Sequence, residues 1–226
     1  MPLNDRNSSD RKKRRQSDSV RPFVLGLTGG IGTGKTTAAV HIASRGYFHV
    51  DADAISRDLT RDGSPVVAEL DRIFGPEGRW GDPKTPVVDE EGSLIRKNLA
   101  ALVFSDPEKM AALDEFMFAR IGEIICDRIG EAEGPVLLDA PLLFEAGLEG
   151  LCHRVILLTC PLDVRIARVM ERDEVTEEEV MARIRSQLPD DEKAKLADVT
   201  VDNSGTLADL REGLDRALEE IDPGTK

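Results

Sequence analysis

A glycine-rich segment near the start of the chain has the residue types and spacing that bind a phosphate chain. It reads Gly29-Gly30-Ile31-Gly32-Thr33-Gly34-Lys35-Thr36 and satisfies the P-loop pattern G-x-x-x-x-G-K-[ST]. The glycines let the backbone wrap closely around phosphate oxygens and turn its N–H groups toward them. Lys35 would reach the β- and γ-phosphates, and the Thr36 hydroxyl would ligate Mg²⁺. We therefore predict a site for the phosphates of a nucleoside triphosphate with magnesium.

The surroundings of this segment support the same prediction. It follows a short apolar run that predicts a buried strand (23–28), and it opens a predicted helix that Gly46 closes. The helix would present its positive N-terminus to the same anion. The alternative, a glycine-rich turn that binds nothing, is disfavoured by this context. The predicted ATP-binding residues here are Gly30, Gly32, Thr33, Gly34, Lys35, Thr36 and Thr37.

Three carboxylates stand at predicted strand ends, where open α/β sheets bind their ligands. Asp51 and Asp53 lie at the end of the second strand and suit either a base for an attacking hydroxyl or a cap of the next helix. Asp139 ends the apolar run VLLD and suits support of Mg²⁺, directly or through water. A capping or turn residue is the alternative at Asp139 as well.

Three arginines share one stripe of a predicted helix. Arg165, Arg168 and Arg172 are spaced by three and four residues. Arginines on a mobile segment can close over a transferring phosphoryl group and stabilise the charge that develops there. A solvated helix face is the alternative, and a P-loop in an acidic chain favours the functional interpretation.

The remaining pattern predicts an α/β fold with a parallel sheet, because helical stretches separate strands that are apolar throughout. After the fourth strand we predict two helices, the second opened by a capping box of Thr176 and Glu179. The predicted strands cover 23–28, 47–53, 135–141, 154–160 and 199–203, and helices are predicted near 64–74, 94–104 and 107–130.

Composition narrows the class of protein. Residues 1–20 contribute +3 to a formal net charge of −13, which leaves −16 on the remainder. So acidic a body disfavours general nucleic-acid binding, and no apolar run is long enough for a membrane span. The start of the chain lacks an apolar signal, and three widely spaced cysteines predict buried free thiols in a cytoplasmic protein (Cys126, Cys152 and Cys160).

In series, these segments resemble the dephospho-CoA kinase family, P-loop kinases that phosphorylate the ribose 3′-hydroxyl of dephospho-CoA with ATP. The resemblance spans residues 23–221 and is much narrower than one P-loop. The matching pieces are LTGGIGTGKTT (27–37), DADAISR (51–57), EGSLIRKNLAALVF (91–104), LLDAPLLFEAGL (137–148), RVMERDEVTEEEVMARIRSQ (168–187) and ADVTVDNSGT (197–206).

The resemblance implies a role for several residues. It maps the catalytic base onto Asp53, lid arginines onto Arg168 and Arg172, and a position near the adenine onto Asn203. Arg57 and Arg96 become candidates for gripping the acceptor's phosphates, and ATP, dephospho-CoA and Mg²⁺ become the expected ligands. Residues 1–20 have almost no apolar content and predict a disordered basic tail, which lies outside the family pattern. The resemblance implies one P-loop kinase domain (21–226), with a nucleotide core (21–59, 134–161 and 191–221), a helical acceptor-binding insertion (about 60–133) and a lid (about 162–190).

One departure and three alternatives accompany this interpretation. Phe118-Ala119 stands where family members usually carry His-Pro, near the expected acceptor pocket. Another small-molecule or nucleoside monophosphate kinase would show the same P-loop. A GTPase-like switch would carry N-K-x-D, which does not occur, and a nucleic-acid module recruited through RKKRR would need more basic surface.

Overall fold

A computed structural model describes residues 22–221, and the predicted tail over 1–20 lies outside this range. Five strands form one sheet in the order β2-β3-β1-β4-β5. The central strand β1 pairs in parallel with β3 and β4, and β4 pairs in parallel with β5. The strands are β1 (Val24–Thr28), β2 (Phe48–Asp51), β3 (Val136–Asp139), β4 (Arg154–Thr159) and β5 (Val199–Asp202). The predicted α/β fold with a parallel sheet is confirmed.

Burial along the strands explains why they read as apolar runs. Every residue of β1 and β3 is buried, because both faces of these central strands are covered. The edge strand β5 has only Val201 buried. Each strand is one to three residues shorter than predicted: β1 begins one residue later, and Ala52 and Asp53, predicted in the second strand, belong to the helix that follows it.

The chain divides into two compact units. Asp51–Asp127 form one unit, and the described residues before and after it form the other, which holds the P-loop. The helices are α1 (Lys35–Ala43), α2 (Ala52–Leu59), α3 (Pro65–Phe74), α4 (Arg96–Phe104), α5 (Pro107–Glu131), α6 (Leu162–Asp173), α7 (Glu177–Arg185), α8 (Asp190–Leu196) and α9 (Leu207–Ile221), with a 3₁₀ turn at Leu148–Leu151.

Local chemistry sets several helix ends in the way the sequence predicts. Ser64 caps α3 through a hydrogen bond from the Val66 N–H, with Pro65 in the first turn. The capping box of Thr176 and Glu179 opens α7 as predicted. The helix α1 ends earlier than expected, at Ala43, and Gly46 lies three residues beyond it.

A hydrophobic core lies between the sheet, α1 and α9. It contains Leu25, Leu27, Ala38, Ala39, Ile42, Tyr47, Leu137, Ile156, Leu158, Val201, Leu210, Leu214, Ala217, Leu218 and Ile221. The unit Asp51–Asp127 buries its own apolar side chains, among them Leu70, Phe74 and Ile125. Among residues 22–221, no helix is both long and apolar enough to cross a membrane.

The three cysteines are free thiols, but the prediction that all are buried is wrong for Cys126. Cys152 and Cys160 are buried, whereas Cys126 is exposed on α5. Its neighbour Ile125 is fully buried, and Cys126, one residue or 100° further around the helix, lies outside that buried face.

The helix α9 provides a test of the core within one element. Leu214 is fully buried and Leu207 is 49% exposed. We expect Leu214→Ala to lower the free energy of unfolding by about 2–5 kcal/mol through lost burial and a cavity. Leu207→Ala should change it by less than about 0.5 kcal/mol. Urea unfolding measures both, and equal losses would contradict this placement of α9.

Candidate active site

The P-loop (Gly29–Thr36) joins the end of β1 to the start of α1. Gly32 and Gly34 have φ values of 81° and 88°, a left-handed conformation that favours glycine. Gly34 is the N-cap of α1 and supplies no side-chain acceptor. Within the described residues, no acceptor receives the backbone N–H of Gly32, Gly34, Lys35 or Thr36. Four donors at a helix N-terminus form an anion site.

The carbonyl groups of the P-loop, in contrast, are held by the protein. The Gly30 carbonyl accepts from the Thr33 N–H at 3.2 Å and from the Thr33 Oγ1 hydroxyl at 2.9 Å. Arg165 Nε donates to the Ile31 carbonyl at 2.8 Å, and Asn203 Nδ2 donates to the Thr33 carbonyl at 2.7 Å. These bonds fix the path of the loop independently of any ligand.

Lys35 forms an ion pair with Asp139, the last residue of β3. The two strands bring them together, because Asp139 pairs in register with Leu27 just before the P-loop. The second oxygen of Asp139 lies 3.3 Å from His49 Nε2. Only 5% of the Asp139 side chain is exposed, so this carboxylate is held at the phosphate site and not in open solvent.

The predicted arginine stripe separates into three environments. Arg165 is buried and its NH1 lies 2.6 Å from Asp190 Oδ2, so the alternative of a solvated helix face is wrong there. Arg168 is partly buried, and its NH2 donates to the Asn203 carbonyl at 3.4 Å. Arg172 is exposed and makes two hydrogen bonds to Asp173. Exposure along the stripe therefore increases from Arg165 through Arg168 to Arg172, toward the end of α6.

Two ionisable groups near this helix have shifted pKa values. Hydrogen bonds from Arg172 lower the pKa of Asp173 to about 2, with help from Arg183. Burial raises the pKa of the Cys160 thiol, and the nearby Arg168 opposes that rise. Asp173 therefore stays ionised and keeps Arg172 paired at physiological pH.

Asp53, Arg57 and Arg96 belong to the unit Asp51–Asp127. Asp51 caps α2 by accepting the Ala54 N–H at 2.9 Å, which settles the capping alternative for Asp51, whereas Asp53 stands exposed in the first turn. Arg57 NH2 lies 3.8 Å from Asp51 Oδ2. Arg96 NH2 donates to the carbonyl of Thr60, the residue after α2, at 2.8 Å. The two arginines are thus placed at α2.

Sequence reasoning missed Gln187 as a contact of the P-loop. Its Oε1 accepts the Ile31 N–H at 3.1 Å, across a separation of 156 residues. Gln187 belongs to the quoted piece that ends in RIRSQ, but a polar residue after a helix gives no local sign of so distant a partner.

A second missed group is the buried ion pair of Lys193 and Glu145. Lys193 is fully buried on α8, and its Nζ lies 3.0 Å from Glu145 Oε1 and 3.0 Å from the Pro141 carbonyl. The same Glu145 oxygen accepts the Leu188 N–H at 2.8 Å. No element is predicted over DDEKAKL, and a run of charged residues gives no local sign of burial, so neither α8 nor its buried lysine was predicted.

Comparison with known proteins is consistent with this site. The family profile described as dephospho-CoA kinase matches residues 23–209. The chain is 39% identical over 210 residues to the dephospho-CoA kinase of Thermus thermophilus, covering 92% of this chain and 97% of that protein. It is 38% identical over 201 residues to the enzyme of Corynebacterium glutamicum, covering 87% and 98%.

Solved structures give the same result. A crystal structure of a Thermus thermophilus protein, 39% identical, superposes with a TM-score of 0.74 and covers 89% of this chain and 98% of that one. The dephospho-CoA kinase from Campylobacter jejuni, 26% identical, has a TM-score of 0.62 with coverage of 90% and 98%. The similarity therefore includes both units of the chain.

Alanine variants of Gly34, in the P-loop, and Gly46, beyond α1, test whether the left-handed conformation of the P-loop is needed for ligand binding. Both have left-handed φ values, 88° and 92°, but a Cβ at Gly34 would collide with the Asn203 amide, while a Cβ at Gly46 would meet nothing within 4 Å. We expect either alanine variant to lose about 1–2 kcal/mol of stability from backbone strain. Only Gly34→Ala should also lose binding of a nucleoside triphosphate, measured by calorimetry. Equal binding by the two variants would contradict the site.

Proposed function

The chain belongs to the dephospho-CoA kinase family, and from this premise we propose that it transfers the γ-phosphoryl group of ATP to the ribose 3′-hydroxyl of dephospho-CoA. The products are coenzyme A and ADP, which makes the reaction the last step of coenzyme A synthesis. The observation that carries the proposal is the family match over residues 23–209, which includes the P-loop and the Asp51–Asp127 unit together.

The P-loop supplies the phosphate site in this proposal. The N–H groups of Gly32, Gly34, Lys35 and Thr36, which no acceptor within residues 22–221 receives, bind the phosphate chain of ATP, and Lys35 contributes its positive charge to the β- and γ-phosphates. Lys35 pairs with Asp139, so phosphate oxygens would share its ammonium group with that carboxylate. The remaining predicted contacts are Gly30, Thr33 and Thr37 from the same segment and Asn203 after β5.

The transfer itself requires a base, an aligned acceptor and neutralised charge. We assign the base to Asp53, which accepts the proton of the 3′-hydroxyl as its oxygen attacks the γ-phosphorus. The bond from that phosphorus to the β–γ bridging oxygen breaks, and ADP leaves. Arg168 and Arg172, in the proposed lid (162–190), stabilise the charge that spreads over the γ-phosphoryl oxygens.

Thr36 and Asp139 have the donors that suit Mg²⁺, since hydroxyl and carboxylate oxygens are its preferred protein ligands. Thr36 is exposed in the first turn of α1. Asp139 is the last residue of β3 and forms the ion pair with Lys35. We propose that Thr36 binds the ion directly and Asp139 binds it directly or through water. When bound, the ion neutralises charge on the β- and γ-phosphates.

The acceptor is assigned to the predicted insertion (about 60–133), most of which lies in the unit Asp51–Asp127. Arg57 and Arg96 are its candidate phosphate contacts, and both are exposed. Phe118 and Ala119, the departure from the family's His-Pro, lie inside α5, which runs unbroken from Pro107 to Glu131. Ala119, in place of the proline, lets the helix keep its backbone hydrogen bonds. The side chain of Phe118, in place of the histidine, cannot form a hydrogen bond, so a contact that the histidine makes in the family must come from another residue here.

Partners and location follow from the same proposal. ATP and dephospho-CoA are the small-molecule partners, and the acidic body argues against nucleic acid as a further one. Three free thiols suit a reducing compartment, which supports a cytoplasmic location.

The acceptor is tested directly with purified protein and ATP·Mg. Dephospho-CoA, adenosine and nucleoside monophosphates are offered separately, and the phosphorylated product is identified by mass spectrometry. We expect rapid phosphorylation of dephospho-CoA alone, since only this acceptor presents the features that the family recognises. Transfer confined to a nucleoside monophosphate would refute the proposed acceptor and favour another kinase on this fold.

The role of Asp53 is tested by Asp53→Asn. Removal of the base should lower kcat by about 10²–10⁴-fold, while ATP binding persists because the P-loop is unchanged. Asp58→Asn is the matched control, an exposed aspartate of the same helix α2, and should keep wild-type turnover. Near-normal turnover of Asp53→Asn would exclude the assignment of the base.

A further inference from the structure

The direction of each P-loop N–H is set by the carbonyl that precedes it. In a trans peptide the C=O bond and the following N–H bond point in opposite directions. The described residues contain no cis peptide. A side chain that holds one carbonyl therefore also aims the next N–H away from itself.

Arg165 acts on the peptide between Ile31 and Gly32. Its Nε donates to the Ile31 carbonyl at 2.8 Å, so the Gly32 N–H points away from Arg165. The backbone around it is fitted to this side chain. A Cβ at Gly30 would collide with the guanidinium, and a Cβ at Gly32 would lie 2.7 Å from the Arg165 carbonyl. Two P-loop glycines thus make room for Arg165 as well as for a ligand.

Asn203 acts in the same way on the peptide between Thr33 and Gly34. Its Nδ2 donates to the Thr33 carbonyl at 2.7 Å, so the Gly34 N–H points away from Asn203. A Cβ at Gly34 would collide with the same amide nitrogen. The N–H groups of Gly32 and Gly34 are two of the four that find no acceptor among the described residues.

Both side chains are themselves held firmly. Arg165 is 4% exposed, and its NH1 lies 2.6 Å from the carboxylate of Asp190 on α8. Asn203 is 8% exposed, and its own N–H donates to the Thr159 carbonyl at 2.8 Å. Anchors that are buried and paired can fix a backbone orientation, whereas solvated side chains would lose too much rotamer entropy to do so.

We propose that Arg165 and Asn203 are positioning residues for phosphate binding, which act by aiming the Gly32 and Gly34 N–H groups at the phosphate chain. The proposal deepens the proposed function and rests on it. It assigns Asn203 a role toward the phosphates, in place of the contact with adenine that the family resemblance implies. It assigns Arg165 a role that differs from that of the lid arginines Arg168 and Arg172.

The test compares Asn203→Ala and Arg165→Lys with matched controls. Asn98→Ala removes the equivalent amide donor to a backbone carbonyl, that of Pro86 at 2.7 Å, in the other unit. Arg211→Lys makes the same substitution at an exposed arginine of α9. The measurements are kcat, KM for ATP and for GTP, and inhibition by inorganic tripolyphosphate. Tripolyphosphate has the phosphates of ATP but no purine ring.

We expect both test variants to weaken ATP and tripolyphosphate in parallel, by about 10- to 100-fold, the size expected when one or two hydrogen bonds to a charged group are misaligned. The ratio of ATP to GTP preference should stay at the wild-type value. The controls should keep wild-type affinity for ATP and for tripolyphosphate. Thermal unfolding of each variant verifies that the protein is folded at the assay temperature.

Two results would overturn the proposal. Unchanged tripolyphosphate inhibition in folded Asn203→Ala, with a changed ratio of ATP to GTP preference, would show that Asn203 contacts the purine ring of the nucleotide and not its phosphates. Unchanged ATP and tripolyphosphate affinity in Arg165→Lys would remove Arg165 from the phosphate site. If Arg165→Lys does not fold, Asn203→Ala still tests whether a side chain that binds a P-loop carbonyl orients the next N–H for phosphate binding. Binding of tripolyphosphate by calorimetry keeps this test independent of the acceptor, so a wrong acceptor and a wrong positioning role give different results.

Discussion

An anion site made of backbone requires donors that stay unsatisfied by the protein. The N–H groups of Gly32, Gly34, Lys35 and Thr36 meet that condition within residues 22–221, and they do so beside a buried sheet where unpaired polar groups are costly. The rest of the unit is arranged around this requirement. β1 and α1 fix the two ends of the loop, and the glycines permit its φ values. Side chains from elsewhere bind the Ile31 and Thr33 carbonyls, and the Gly30 carbonyl accepts from Thr33 within the loop.

Buried charge around the loop follows a consistent rule of pairing. Lys35 pairs with Asp139, Arg165 with Asp190, and Lys193 with Glu145, so each of these three cations has a carboxylate. Removing one partner from such a pair leaves an uncompensated charge, which costs far more than the intact pair contributes. The pairs therefore specify one arrangement of β3, α6 and α8 around the P-loop more than they add stability.

The sequence predicted the features whose causes are local. The strands, the P-loop, the proline start of α3 and the capping box at Thr176 all depend on neighbouring residues, and the structure has them. It did not predict contacts whose partners are distant, such as Asn203 with Thr33 across 170 residues. Burial of Arg165 and Lys193 escaped for the same reason, since a charged residue in a polar helix pattern reads as solvated until its partner is known.

Arg165 and Gln187 both form hydrogen bonds with Ile31, and these bonds anchor the two ends of the segment between them. Arg165 donates to the Ile31 carbonyl, and Gln187 accepts from the Ile31 N–H. Both ends of the segment 165–187 are therefore held at the same P-loop residue. The intervening stretch is a closed loop on a fixed base, and lengthening such a loop costs little entropy. Glu174, at the turn between α6 and α7, has a φ of 54° and marks the far end of that loop. Evolution can thus exchange or extend the turn around Glu174 without disturbing the backbone that binds phosphate.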